Sequence, residues 1–102
     1  MAPKEIVFDN PFFQTKTKKH DGCQIDYLIQ TRFNNLFICE IKFSKNPVSS
    51  KVIAEVENKI DKLVIPKNFS CHPVLIHVGG VADSVIDSGF FGSIVDIGTL
   101  LR

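Results

Sequence analysis

The chain has no tryptophan, so the bulky part of its core must come from nine phenylalanines and the aliphatic residues. It also has no CxxC: Cys23, Cys39 and Cys71 are odd in number and widely spaced. Such a set argues against a disulfide framework and for free thiols in a reducing cytoplasm. The opening Met-Ala-Pro-Lys-Glu lacks a basic region followed by an apolar stretch, so no secretory signal is expected. No apolar run approaches the length that spans a bilayer, which excludes a membrane partner at this level. An excess of one charge is missing as well. The net charge of +1 selects no class of partner by bulk electrostatics. Internal repeats, low-complexity tracts and long linkers are absent.

What is present describes one folded domain over residues 1–102. Hydrophobic residues make up 44% and charged residues 23%, a balance that supports a packed core rather than a disordered tail. Charge is uneven only locally. Lys16, Lys18 and Lys19 cluster ahead of residue 20, whereas residues 81–102 carry Asp83, Asp87 and Asp96 against Arg102 alone. The lysines form either a solvated hairpin rim or a segment able to meet a phosphate backbone.

The pattern along the chain predicts strands first and a helix later. PFFQTKT (11–17) reads as a first strand with Pro11 at its entry, followed by a KKHDG turn in which Gly22 can take positive φ. CQIDYLIQTR (23–32) alternates: Ile25, Tyr27 and Ile29 on one face, Gln24, Asp26, Leu28 and Gln30 on the other. LFICEIKFS (36–44) is a third, central strand. NPVSS then offers Ser caps, and from Ser50 the period changes. Val52, Ile53, Val56, Ile60, Leu63 and Val64 form a helical stripe, with Glu55 and Lys59 as an i, i+4 pair on the outer side and Pro66 as the stop. PVLIHV (73–78), closed by Gly79-Gly80, reads as a buried strand, and FGSIVDIGTLL as a last strand or short helix. The order implies an α/β fold: a mixed four- to five-stranded sheet whose crossover helix returns the fourth strand parallel to the third.

Within that sheet ICEIKF (38–43) is unusual, because an otherwise apolar strand carries Glu40 and Lys42 on one face. Asp26 is the other acid set in an apolar strand. Whether it joins them depends on the hairpin. A two-residue Asn34-Asn35 turn would place Asp26 across from Phe43 and on the opposite face from Glu40. A three-residue Phe33-Asn34-Asn35 loop pairs Leu28 with Glu40 and Asp26 with Lys42, gathering all three polar residues on one face. Asn accepts the left-handed conformation of such loops, and the alternation favours this register.

Two converging carboxylates make a site for a hard divalent cation such as Mg²⁺ or Mn²⁺, with the Ile41 carbonyl as a further oxygen ligand. Asp26 and Glu40 would hold the ion while Lys42 orients or deprotonates a nucleophile, or stabilises the charge of a phosphoryl transition state. The alternative is a cross-strand Asp26–Lys42 ion pair on a half-exposed sheet face, worth about 0.2–1 kcal/mol.

GCQIDYLIQ followed by LFICEIKFS resembles the motif pair of the PD-(D/E)xK nuclease superfamily. More narrowly, G-x-Q-I-D-x-L-I and C-E-I-K-F-S are similar to the C-terminal nuclease-like domain of archaeal-type (AAA-like) ATPases. The likeness covers roughly residues 12–101 and includes the helix that follows the motif. It implies a restriction-endonuclease-like core, a Mg²⁺- or Mn²⁺-dependent deoxyribonuclease activity, and DNA as partner. Asp26 and Glu40 match the metal-binding acids and Lys42 the catalytic lysine, while Gln24 belongs to the same signature without an assigned role. The first core helix of that superfamily is short or missing here, which leaves Glu5 or Asp9 to replace the acid it often supplies. No GxxxxGK[ST] occurs, so the ATPase motor of those relatives is not on this chain. The chain is then a C-terminal fragment of a larger ATPase, a shortened relative, or half of a split system.

Other residues have ordinary explanations. Cys71, His72 and His77 match no zinc spacing, Cys39 alternates away from Glu40 into the core, and Gly79-Gly80 suits a turn. Three functions stay open: a nuclease, a nuclease-fold module that binds DNA or protein without cutting as an accessory to an ATPase, and a docking domain. In the last, the strand bearing Phe12 and Phe13 would complete a homodimer or a partner's sheet.

Overall fold

The computed structural model describes residues 5–98. Five strands and two helices follow in the order β1 (Ile6–Gln14), β2 (Cys23–Thr31), β3 (Asn35–Phe43), α1 (Lys51–Lys62), β4 (Ser70–Val78), α2 (Asp83–Ser88) and β5 (Ser93–Asp96). The strands form one mixed sheet in the order β1-β2-β3-β4-β5. β1, β2 and β3 are antiparallel neighbours, whereas β4 and β5 continue parallel to β3. α1 is the crossover between β3 and β4, as the change of hydrophobic period predicts. The architecture is α/β, compatible with the expected restriction-endonuclease-like core, and no helix precedes β1 among the described residues. None of the helices among them is long and apolar enough to cross a membrane.

The first strand lies earlier than the sequence suggests, and Pro11 sits inside it. β1 is the edge of the sheet, and its pairing with β2 shifts between Asn10 and Phe12, where β2 carries an extra residue. Pro11 falls at this bulge on an edge strand, where a missing N–H breaks no ladder bond. The same bulge interrupts the alternation of β2. Ile25 and Leu28, expected on opposite faces, belong to one buried cluster. Gly22 is not at positive φ: the positive-φ glycines are Gly79, Gly80 and Gly89. Space is tight there instead, since a Cβ at Gly22 would stand 3.0 Å from the Gln14 carbonyl oxygen.

The β2–β3 hairpin has a three-residue loop, but it is Arg32-Phe33-Asn34. Thr31 pairs with Asn35 and Leu28 with Ile38, two positions from the expected Leu28–Glu40 pairing. Phe33 and Asn34 take φ of 66° and 62°, so an exposed Phe rather than the second Asn occupies the left-handed region. Asn35 is drawn into the sheet, pairing with Ser70, and its side chain meets His72 Nε2 at 2.9 Å. A shift of two preserves the faces, so Leu36, Ile38, Glu40 and Lys42 still point together.

They point towards α1. Val52 and Val56 of α1, Leu75 of β4, Val85 of α2, Val48 and Phe91 form one buried cluster. Ile25, Leu28, Leu36, Ile38 and Leu63 form the second, and Ile60 packs against both. α1 ends at Lys62 rather than running towards Pro66. Leu63 is its C-cap in extended conformation, and Val64 is exposed. Ser50 is the N-cap residue without a side-chain cap bond. β4 starts at Ser70, so Pro73 lies inside it, at the end where β5 pairing begins only with Val74 and Ser93. The Pro73 carbonyl accepts from Gly92 N–H at 2.9 Å. The expected last strand is observed as β5, shorter than the tail suggests and preceded by α2, and residues 99–101 lie outside those described.

The other face of the sheet carries Ile29, Phe37, Cys39, Val74, Ile76 and Val95 along a groove of about 550 Å³ lined by strand and hairpin residues. It holds none of the three polar residues of the motif. Cys39 lies there, buried as expected, and burial pushes its thiol up to about 11.

Candidate functional site

Glu40 is the chemical anomaly of the core. It lies on the helix-facing side of β3, between β2 and β4, and is 3% exposed. Burial raises its carboxyl above the ordinary glutamate value, and Lys59 of α1 only partly offsets this. The Lys59 ammonium lies 2.7 and 2.9 Å from the two Glu40 oxygens, donating to both. Lys42, two residues on, donates to Glu55 Oε2 at 2.9 Å. That bond, more than burial, sets the direction of its shift: Lys42 is raised and stays cationic.

Asp26 reaches the same place from the β2 bulge. Its Oδ2 accepts the Ile41 N–H at 2.9 Å, so the carboxylate sits against the peptide between Glu40 and Lys42. The β2–β3 ladder runs only as far as Tyr27 and Cys39. Beyond it, a side chain takes the place of the neighbouring strand. The three polar residues are therefore brought together as the sequence suggests, but by a bulge and a side-chain-to-backbone bond rather than by a direct Asp26–Lys42 pairing. The cross-strand ion pair considered as the alternative is not formed, because Lys42 turns to α1.

Lys42 and Glu55 also line a shallow cleft of about 200 Å³ with Ser44, Asn46 and Ser49 from the β3–α1 connection. The site lies at the carboxyl ends of the parallel strands, the usual place for ligands in open α/β sheets. β2 is antiparallel to β3, so the β1–β2 connection rises at this same end, with Lys16, Lys18, Lys19 and His20 exposed. Gly79, at the end of β4, closes behind β3: a Cβ there would stand 2.1 Å from the Ser44 carbonyl oxygen, so no larger residue fits.

Several expected participants are elsewhere. Tyr27 donates to Asp9 Oδ2 at 2.9 Å, and Asp9 pairs with Ile29 of the groove-facing side. Glu5 lines the groove on that side too. Neither acid joins Glu40. Gln24 is exposed in β2 opposite Phe13. His72 stacks on Phe37, with ring centroids 5.0 Å apart, in keeping with ordinary packing. His77 is buried one strand over from Lys42, and its Nδ1 has no hydrogen-bond partner.

Glu55 and Lys59 were expected on the outer side of α1, and this is the main correction. Both side chains reach back to β3. The signal lay in the helical angle. At 100° per residue Lys59 falls roughly 20° from Val52 and roughly 60° from Val56, inside the buried stripe. A long lysine on such a face can bury its stem while its ammonium finds a carboxylate.

Among the described residues, no three His, Cys, Asp or Glu side chains converge as a metal cluster. The oxygen donors at the site are two carboxylates and the backbone of Ile41. Mg²⁺ takes one or two carboxylates and keeps several waters, so this sparse all-oxygen set fits it. No protein-family model matches the chain, nor does any of the curated proteins compared. Among solved structures, a repair endonuclease from Pyrococcus abyssi is similar, with a TM-score of 0.54 at 10% identity over 86% of this chain. The chain spans 38% of that protein's length. At that identity the likeness is one of fold, and it places the chain beside a nuclease in its architecture.

Proposed function

We propose that this chain is a metal-dependent nuclease domain that hydrolyses DNA phosphodiester bonds with Mg²⁺ or Mn²⁺. The observation that carries the reading is the Asp26 carboxylate on the Ile41 amide, beside the buried Glu40 and within reach of Lys42. Asp26 and Glu40 hold the ion. Ile41 adds its carbonyl, since the N–H and C=O of one strand residue point to the same side. When bound, the ion supplies Lewis-acid charge at the scissile phosphate and makes water acidic enough to act as nucleophile near neutral pH. Lys42 supplies fixed positive charge to the developing phosphoryl oxyanion. Its ion pair with Glu55 suits this electrostatic role over that of a general base, which needs a lysine easily deprotonated. The lysines of the β1–β2 connection, at the same end of the sheet, bind the DNA backbone. The nuclease fold of the similar repair endonuclease supports the same substrate class.

A second reading has one observation in its favour. Glu40 and Lys42 are both engaged by α1, an arrangement that suits a nuclease-fold module binding DNA or protein without cutting, as an accessory to an ATPase. Cleavage of plasmid and branched DNA decides between them. The nuclease reading expects cleavage with Mg²⁺ or Mn²⁺, none in chelator, and a loss of about 10²–10³-fold in Lys42→Ala. Asp26→Ala and Glu40→Ala are expected to abolish it. Cleavage that survives both substitutions sinks the assignment, and DNA binding without cleavage by the parent protein favours the accessory module.

A further inference from the structure

α1 places two charges against the two charges of the β3 motif, and the pairing is complementary at each point. Glu55 faces Lys42 and Lys59 faces Glu40, so an E-x-x-x-K on the helix lies along the E-x-K of the strand. The two contacts differ in kind. Lys42–Glu55 lies towards solvent, with side chains 36% and 50% exposed, and such a pair opens at little cost. Lys59–Glu40 joins a lysine 29% exposed to a glutamate side chain 2% exposed. The ammonium covers both carboxylate oxygens, which are the atoms a divalent cation would need. A resident cation therefore already neutralises the buried acid.

We infer that Lys59 is the built-in counter-ion of Glu40 in the metal-free protein and that a divalent cation is held at Glu40 only as Lys59 swings off it. This rests on the reading of Asp26 and Glu40 as metal ligands and adds a control on that site. The physical grounds are direct. An ion and an ammonium cannot share the same two oxygens, and two cations side by side in a poorly solvated place repel strongly. The exchange keeps Glu40 neutralised in both states, so the buried carboxylate is never left without a positive partner. Lys59 has somewhere to go, because the ammonium lies on a long stem at the half-exposed side of the site. Lys59 is thus a positioning residue, and its energy with Glu40 subtracts from the apparent affinity for the ion.

The test is a calorimetric titration of Mg²⁺ and Mn²⁺ into the full chain at neutral pH. The proteins are the wild type, Lys59→Met, Lys59→Gln and Lys51→Met, the last removing the same charge from the exposed first turn of α1. Both Lys59 variants are expected to bind the ion about tenfold or more tightly, with Lys51→Met close to wild type. In parallel, NMR of the lysine ammonium groups in the wild type, which needs no variant to fold, is expected to show the Lys59 signal released as Mg²⁺ is added. Unchanged affinity in both Lys59 variants, or a Lys59 signal that stays fixed while the ion binds, overturns the inference and leaves the metal site standing. Absence of ion binding in the wild type and both Lys59 variants overturns the metal reading itself, and the inference with it.

Discussion

At the scale of single residues, the cost of the site is concentrated in Glu40. Burial holds its carboxyl above the ordinary value even with Lys59 beside it, so the folded protein takes up a proton more readily than the unfolded chain. The sign follows from proton linkage: stability falls as pH rises through the raised value and is regained as pH falls towards the ordinary glutamate range. Replacing Glu40 with Gln keeps the shape and removes the desolvated charge. At pH 7 the variant is expected to be more stable than the parent by about 0.5–2 kcal/mol while losing metal binding, the pattern of a residue kept for function. That advantage shrinks as pH drops below the Glu40 value. Urea unfolding between pH 4 and 8 measures it, and a variant less stable than its parent at pH 7 would show that the Lys59 pair outweighs burial.

Among the elements, α1 has a second role besides covering the sheet. It brings Lys59 and Glu55 to the motif, and its position is set at its C-terminal end by Gln14 of β1. The Gln14 side chain donates to the Lys62 carbonyl at 2.7 Å and to the Asp21 carbonyl at 2.6 Å, and its oxygen accepts the Val64 N–H at 2.7 Å. One amide thus joins the end of the edge strand, the following turn and the end of the helix. Gln14→Ala leaves these backbone groups without their partner and is expected to destabilise the fold by about 1–3 kcal/mol. A change within a few tenths of a kcal/mol in thermal or urea unfolding would mean that water replaces it.

These same elements divide what the sequence could reveal from what it could not. β2, β3 and α1 were legible because each has a clean period, and the gathering of Asp26, Glu40 and Lys42 followed from even spacing across one hairpin. The observed hairpin register lies two residues from the one the sequence favours, since parity constrains faces and not position. The β2 bulge left no mark, because Asp26 and Tyr27 read as ordinary alternation. The charges of Glu55 and Lys59 suggest an outward face, whereas their helical angle turns both towards β3.

For the whole molecule, one sheet presents two different surfaces. The α1 side holds the apolar clusters and, at one end, the only strongly buried acid among the described residues. The opposite side is grooved, lined by apolar residues with Glu5 and Arg32 among them, and lacks the polar residues of the motif. The charged residues of the motif are therefore confined to the corner where the β2 bulge, the end of β3 and α1 meet, with the lysines of the β1–β2 connection at the same end of the sheet. That confinement is what an account of the chain as a metal-dependent nuclease domain requires, and a paramagnetic ion can locate it. Backbone NMR of the 102-residue chain with substoichiometric Mn²⁺ is the direct measurement. The account predicts that the amide signals of Asp26, Glu40, Ile41 and Lys42 broaden first and that Asp26→Asn abolishes the effect. Broadening centred on the acidic residues Asp83, Asp87 and Asp96, or an unchanged pattern in Asp26→Asn, would contradict it.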